Sequence, residues 1–106
     1  MYAAVLHLEG FTVEEARDGQ EGVYKAVDLQ PDLIITDLSM PVMDGWETIR
    51  CLRADHRTRR IPVIACGDEE RPGTEYTPAD AVLPKPCPVD LLLLEIRGVL
   101  RRNEPA

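Results

Sequence analysis

Pro31-Asp32-Leu33-Ile34-Ile35-Thr36-Asp37-Leu38-Ser39-Met40-Pro41-Val42-Met43-Asp44-Gly45 is the stretch on which the reading of this chain turns. Leu33 to Thr36 is a short apolar run that stops at a carboxylate, the pattern of a strand buried on both faces. Pro31 ends the helix before it, and Asp44-Gly45 makes a tight turn into the helix after it. Outward from this centre the same pattern recurs twice. Ile61-Pro62-Val63-Ile64-Ala65-Cys66 is a second buried strand, followed by Gly67, and Ala81-Val82-Leu83 is a third, closed by Pro84-Lys85-Pro86. Helical spacing fills the gaps. Gln20 to Leu29 turns Val23, Ala26 and Val27 inward, with Asp18 placed to cap it. Trp46 to Ala54 sets Trp46, Ile49 and Leu52 on one side. A last helix starts at Pro88 and runs through Leu91, Leu94, Ile96 and Leu100. Nearer the start, Ala3 to Leu8 reads as the last turns of a helix stopped by Gly10, and Phe11 to Ala16 alternates like a half-exposed strand. Asp68 to Pro78 carries Pro72, Gly73 and Pro78, so any helix there is short or absent.

Strands and helices that alternate in this way predict an α/β fold, a parallel sheet with helices on both faces. Ligands in such sheets bind at the carboxyl edge of the strands. Asp37, Gly67 and Lys85 each fall at such an edge, so three distant segments are expected to converge on one rim. A carboxylate at the tip of a buried strand costs free energy unless a cation or donor meets it, and Lys85 can be that cation. The pair suits two uses: a structural ion pair, or a nucleophile that takes a phosphoryl group while the ammonium steadies the phosphate. These two residues alone leave both open.

Composition narrows the field. The 106 residues are 44% hydrophobic and 29% charged, a globular mix that rules out wholesale disorder and predicts a single domain over 1–106. Twelve basic against nineteen acidic residues give a net charge of −7, a field that repels phosphate backbones and anionic lipid. Direct nucleic-acid binding and membrane association are therefore not expected of this domain. The longest apolar run, Leu91 to Leu94, is far too short to span a bilayer. Cys51, Cys66 and Cys87 are too widely spaced for a disulfide framework or a zinc pattern, which predicts free thiols in a reducing cytoplasm. His7 and His56 are isolated. Arg53, Arg57, Arg59 and Arg60 surround His56 and read as a solvated basic loop. Trp46 is expected to pack partly on the surface. Leu91 to Leu94 is too continuous for one helix face, so part of it is expected to be exposed and to meet a partner, with a homodimer one possibility.

Asp37-Leu38-Ser39-Met40-Pro41-Val42-Met43-Asp44-Gly45 resembles the D-x-x-M-P-x-M-D-G signature of bacterial response-regulator receiver domains. The resemblance extends in order over nearly the whole chain. Pro31 to Thr36 is similar to the family's third strand, Ile61 to Ala65 to its fourth, and Ala79-Asp80-Ala81-Val82-Leu83-Pro84-Lys85-Pro86 to its fifth with the Lys-Pro that follows. Gly10 to Val13 and Ala16 to Gly19 are similar to the entry and exit of its second strand. The resemblance implies a flavodoxin-like sheet and a module of two-component signalling. Asp37 matches the phosphoacceptor, which takes phosphate from a histidine kinase or phosphotransfer protein. Lys85 matches the residue that contacts the phosphate. The backbone carbonyl of Ser39, with Asp37, matches ligands of Mg²⁺. Output then passes to a downstream protein partner, in a cytoplasmic phosphoprotein that is not itself an enzyme.

The chain also departs from the family. It starts inside what resembles helix one, so the usual first strand and the acidic pair at its end are missing. Mg²⁺ binding is accordingly expected to be weak or absent, the site incomplete. Glu14-Glu15 lie in the second strand and do not replace that pair, and Asp68-Glu69-Glu70 follow the fourth strand. Gly67 stands where the family has Thr or Ser, whose hydroxyl donates to the phosphoryl group. Val82 stands where Tyr or Phe is common. These departures support an alternative, a degenerate pseudo-receiver that acts as a phosphorylation-independent interaction domain. A haloacid-dehalogenase-like phosphatase also uses a strand-tip Asp and a Lys, but it needs a second Asp where this chain has Ser39.

Overall fold

A computed structural model describes residues 10, 12, 14–37, 45–67, 79–84 and 87–102. Its elements alternate as the sequence predicts: α1 (Gly19–Leu29), β1 (Ile34–Asp37), α2 (Gly45–Ala54), β2 (Val63–Cys66), β3 (Ala81–Leu83) and α3 (Val89–Arg102). The three strands form one parallel sheet in the order β1-β2-β3.

Each helix end has a local cause. Asp18 is extended at φ −154° and its Oδ1 accepts from the Glu21 N–H at 2.9 Å, which satisfies one free donor at the start of α1. Glu21 pairs with Arg17 and Lys25 one turn away on either side. The helix stops at Gln30, which adopts φ 50° and donates its N–H to the Ala26 carbonyl. The Gln30 side chain donates to the carbonyls of Ala26 and Val27 as well. At the end of α2, the Thr58 hydroxyl donates to the Leu52 carbonyl at 2.7 Å. Pro88 precedes α3 and accepts from Leu92 N–H, and Arg101 and Arg102 sit in its last turn, where the helix dipole favours cations.

Strand alternation divides the core into two layers. Ile64 and Cys66 of β2, with Leu83 of β3, pack against Leu92, Leu93, Ile96 and Val99 of α3. Val63 and Ala65 of β2 point the other way, toward Ala26 of α1 and Trp46, Ile49 and Leu52 of α2. Helices therefore cover both faces. Among the described residues, no helix is long and apolar enough to cross a membrane.

Several expectations are corrected. β2 is buried at every residue, but β1 is not: Ile34, Ile35 and Asp37 are half-buried and only Thr36 is buried. Among the described residues β1 has a strand neighbour on one side alone, so its apolar run is only partly covered. The strand expected over Phe11 to Ala16 is not formed by the residues described there. Thr12 and 14–16 are exposed and outside any strand. Phe11 and Val13 lie outside the described residues, as do the helix expected over Ala3 to Leu8 and the segment Asp68 to Pro78.

Trp46 is 7% exposed rather than partly on the surface. The small side chains of Ala26 and Ala65 in its cluster leave room for the indole. Arg53 is not a solvated member of a basic loop. Its Nη1 donates to the carbonyls of Arg59 and Ile61 and its Nη2 to Asp80 Oδ2 at 3.0 Å. Arg57 grips Asp55 at 2.7 Å, while Arg59 and Arg60 are exposed. The last helix does split its leucines: Leu92 is fully buried and Leu94 is 68% exposed. All three cysteines are free, with Cys66 and Cys87 buried and Cys51 half-buried.

Candidate functional site

The sheet has two ends, and they are built differently. At the end where β2 enters, the polar groups are used structurally. Asp80 Oδ2 accepts both from the Val63 N–H at 2.8 Å and from Arg53, and the Asp80 N–H donates back to the Val63 carbonyl. This clamp joins the end of α2, the start of β2 and the start of β3. The sequence hint for it is an aspartate immediately before a core strand, a position that carried no role in the sequence reading.

At the opposite end the register sets Asp37, Cys66 and Leu83 in one row across the sheet, Asp37 beside Cys66 and Cys66 beside Leu83. Adjacent strands lie about 4.8 Å apart, so the row is about 10 Å wide. Asp37 is its acidic member and is half-buried. It closes β1 as the sequence predicts, with Thr36 buried just before it and the Thr36 hydroxyl donating to the Asp37 carbonyl. Cys66 is 6% exposed and belongs to the apolar cluster under α3. The ladder continues one step further, since the Gly67 N–H donates to the Leu83 carbonyl at 2.9 Å. Gly67 itself adopts φ 144°.

Lys85 follows Leu83 by two positions and Ser39 follows Asp37 by two. Both lie outside the described residues, as does Asp68-Glu69-Glu70. The expected meeting of Asp37 with Lys85 therefore has one described partner, Asp37, at the expected end of the expected strand. Among the described residues, no three of His, Cys, Asp and Glu come together in a group suited to a metal ion. Val82 is 44% exposed on β3. A shallow groove between α1 and α2, lined by Val23, Cys51, Ala54, Asp55, His56 and Arg57, includes no residue of the Asp37 row.

Comparison with known proteins agrees with this architecture. The sequence matches the response regulator receiver domain over residues 1–97. It is 40% identical over 103 residues to the DNA-binding dual master transcriptional regulator RpaA of Synechocystis sp., covering 93% of this chain and 43% of that protein. It is 37% identical to the response regulator MprA of Mycobacterium leprae, covering 94% of this chain and 45% of that one. The chain thus spans less than half the length of these curated relatives. Among solved structures, the receiver domain of a signal transduction histidine kinase from Syntrophus aciditrophicus superimposes with a TM-score of 0.85 at 31% identity, over 97% of this chain and 81% of that one. The receiver domain of a sensor histidine kinase from Pseudomonas aeruginosa PAO1, solved with a magnesium ion in its active-site cleft, gives 0.80 at 27% identity, over 92% and 84%. With its parallel sheet, its strand-end aspartate and this match along most of its length, the chain belongs to the response regulator receiver domain family of two-component signalling.

Proposed function

We propose that this chain is a phosphoacceptor receiver module that takes a phosphoryl group on Asp37 from the phosphohistidine of a histidine kinase or phosphotransfer protein. The observation that carries the reading is the placement of Asp37 at the carboxyl end of β1, in register with the end of β2, in a chain of this family. In the transfer, a carboxylate oxygen of Asp37 attacks phosphorus and forms the P–O bond. The P–N bond to the donor imidazole breaks, and its electron pair stays on that nitrogen. Lys85 is assigned to the phosphate, where its ammonium offsets the added negative charge. The phosphorylated rim then alters contacts with a downstream protein.

Mg²⁺ is the family's partner for this chemistry, and Asp37 and the Ser39 carbonyl are the oxygen donors this chain would offer it. When bound, the ion would offset negative charge on the phosphoryl oxygens. The test is to incubate the chain with acetyl phosphate, with and without Mg²⁺, and weigh the product by intact mass. A phosphoryl adduct is expected in the parent and lost in Asp37→Asn. A parent that takes up no phosphate under either condition would overturn the reading. The interaction-domain alternative, which Gly67 favours, would then lead; it expects partner capture that survives Asp37→Ala.

A further inference from the structure

We propose that the backbone of this protein closes position 67 to a hydroxyl-bearing side chain, so that Asp37 works as an acceptor with no hydrogen-bond donor from that position. The inference rests on the receiver reading of Asp37 and deepens it. β2 leaves the sheet at Gly67 with φ 144°, a conformation that L residues rarely adopt and glycine holds freely. The substitution of glycine for Thr or Ser is therefore more than a missing hydroxyl. The chain turns here in a way that a Cβ opposes. The backbone offers no replacement, because the Gly67 N–H is held by the Leu83 carbonyl at 2.9 Å. Both donor routes at this position are thereby taken: the side chain has none, and the N–H ties β2 to β3.

The consequence is functional. Gly67 is one residue beyond Cys66, which sits directly beside Asp37 in the register. A hydroxyl at 67 would stand one residue past the Asp37 row. This protein has none there. Phosphorylation at Asp37 therefore draws in no hydroxyl from position 67. A hydroxyl is not simply grafted back, because the backbone must first change.

The test compares thermal midpoints of the parent with Gly67→Ala, Gly67→Ser and Gly67→Thr, and with a full-length chain carrying D-alanine at position 67. That last chain is assembled by ligation at the Ala65–Cys66 junction. The three L substitutions are expected to lower the midpoint by about 4–8 °C or more, with serine no better tolerated than alanine. D-alanine, whose handedness suits positive φ, is expected to melt within about 2 °C of the parent. Serine or threonine melting as high as the parent would overturn the proposal, and so would D-alanine melting as low as L-alanine. If the threonine variant does not fold, the two alanine enantiomers decide alone. The melting result stands apart from phosphotransfer: the absence of an Asp37-dependent adduct would strike the receiver reading and leave the assignment of position 67 in place.

Discussion

β1 and β2 lie side by side in one sheet and look alike in sequence, yet they are not equally protected. Val63, Ile64, Ala65 and Cys66 are all buried, whereas three of the four residues of β1 are half-buried. The difference comes from neighbours. β2 has a strand on each side, helix α3 below it and α1 with α2 above it. Among the described residues β1 has one strand neighbour. It is also the strand that ends in the proposed acceptor. Burial is thus concentrated in the central strand, and the proposed acceptor stands at the tip of its less protected neighbour.

The sharpest way to test this contrast is to remove equivalent side chains. Ile64→Ala is expected to cost about 3–5 kcal/mol in urea unfolding, because Ile64 is fully buried among apolar side chains. Ile35→Ala in β1 is expected to cost about 1–2 kcal/mol, since a half-buried isoleucine gives up less surface. Equal losses would break the comparison. A second test addresses the clamp that secures the start of β2. Asp80→Ala leaves the buried Val63 N–H without its acceptor and Arg53 without its carboxylate, and about 1.5–3 kcal/mol of stability is expected to be lost. Arg57→Ala, on an exposed side chain, is expected to change stability by no more than about 1 kcal/mol.

The smallest effect concerns pH in the turn that leads into β2. The Arg57 guanidinium and backbone N–H hold the Asp55 carboxyl well below the usual carboxylate range. A depressed carboxyl favours folding most above its unfolded pKa of about 3.9, and that favour fades as pH falls toward the native value. The midpoint of the parent should therefore fall more steeply below pH of about 4 than that of Asp55→Asn. Parallel curves would show that this turn contributes nothing to the protection of β2.

Much of this was legible in the residues, and the misses share a cause. Periodicity found the described helices and strands, because each buries a face whose spacing is written locally, as Trp46, Ile49 and Leu52 do on α2. On α3 the spacing through Leu91, Leu94, Ile96 and Leu100 picked the wrong face: Leu92, Leu93, Ile96 and Val99 are buried and Leu94 is exposed, because a run of four leucines does not say which of them faces the sheet. Asp18 as a cap and Asp37 as a strand end were equally local. What local pattern does not carry is partnership. Leu33 to Thr36 reads as buried from both sides because its residues are apolar, but coverage depends on strands that must come from elsewhere. Phe11 to Ala16 alternates like a strand, yet Thr12 and 14–16 are exposed and outside any strand. Arg53 reads as one basic residue among four, yet it donates to acceptors on Arg59, Ile61 and Asp80. Gly67 reads as a deletion of chemistry, and its φ shows in addition what the main chain does there.

The burial of Trp46 has a practical consequence. It is the one tryptophan in the chain, it is buried, and its indole N–H has no hydrogen-bond partner among the described residues. A buried indole emits at short wavelength, and it sits at the start of α2, the helix that follows the strand ending in Asp37. The protein consequently carries its own optical gauge: a red shift reports water reaching the layer between α1, α2 and the sheet, with no dye or label required.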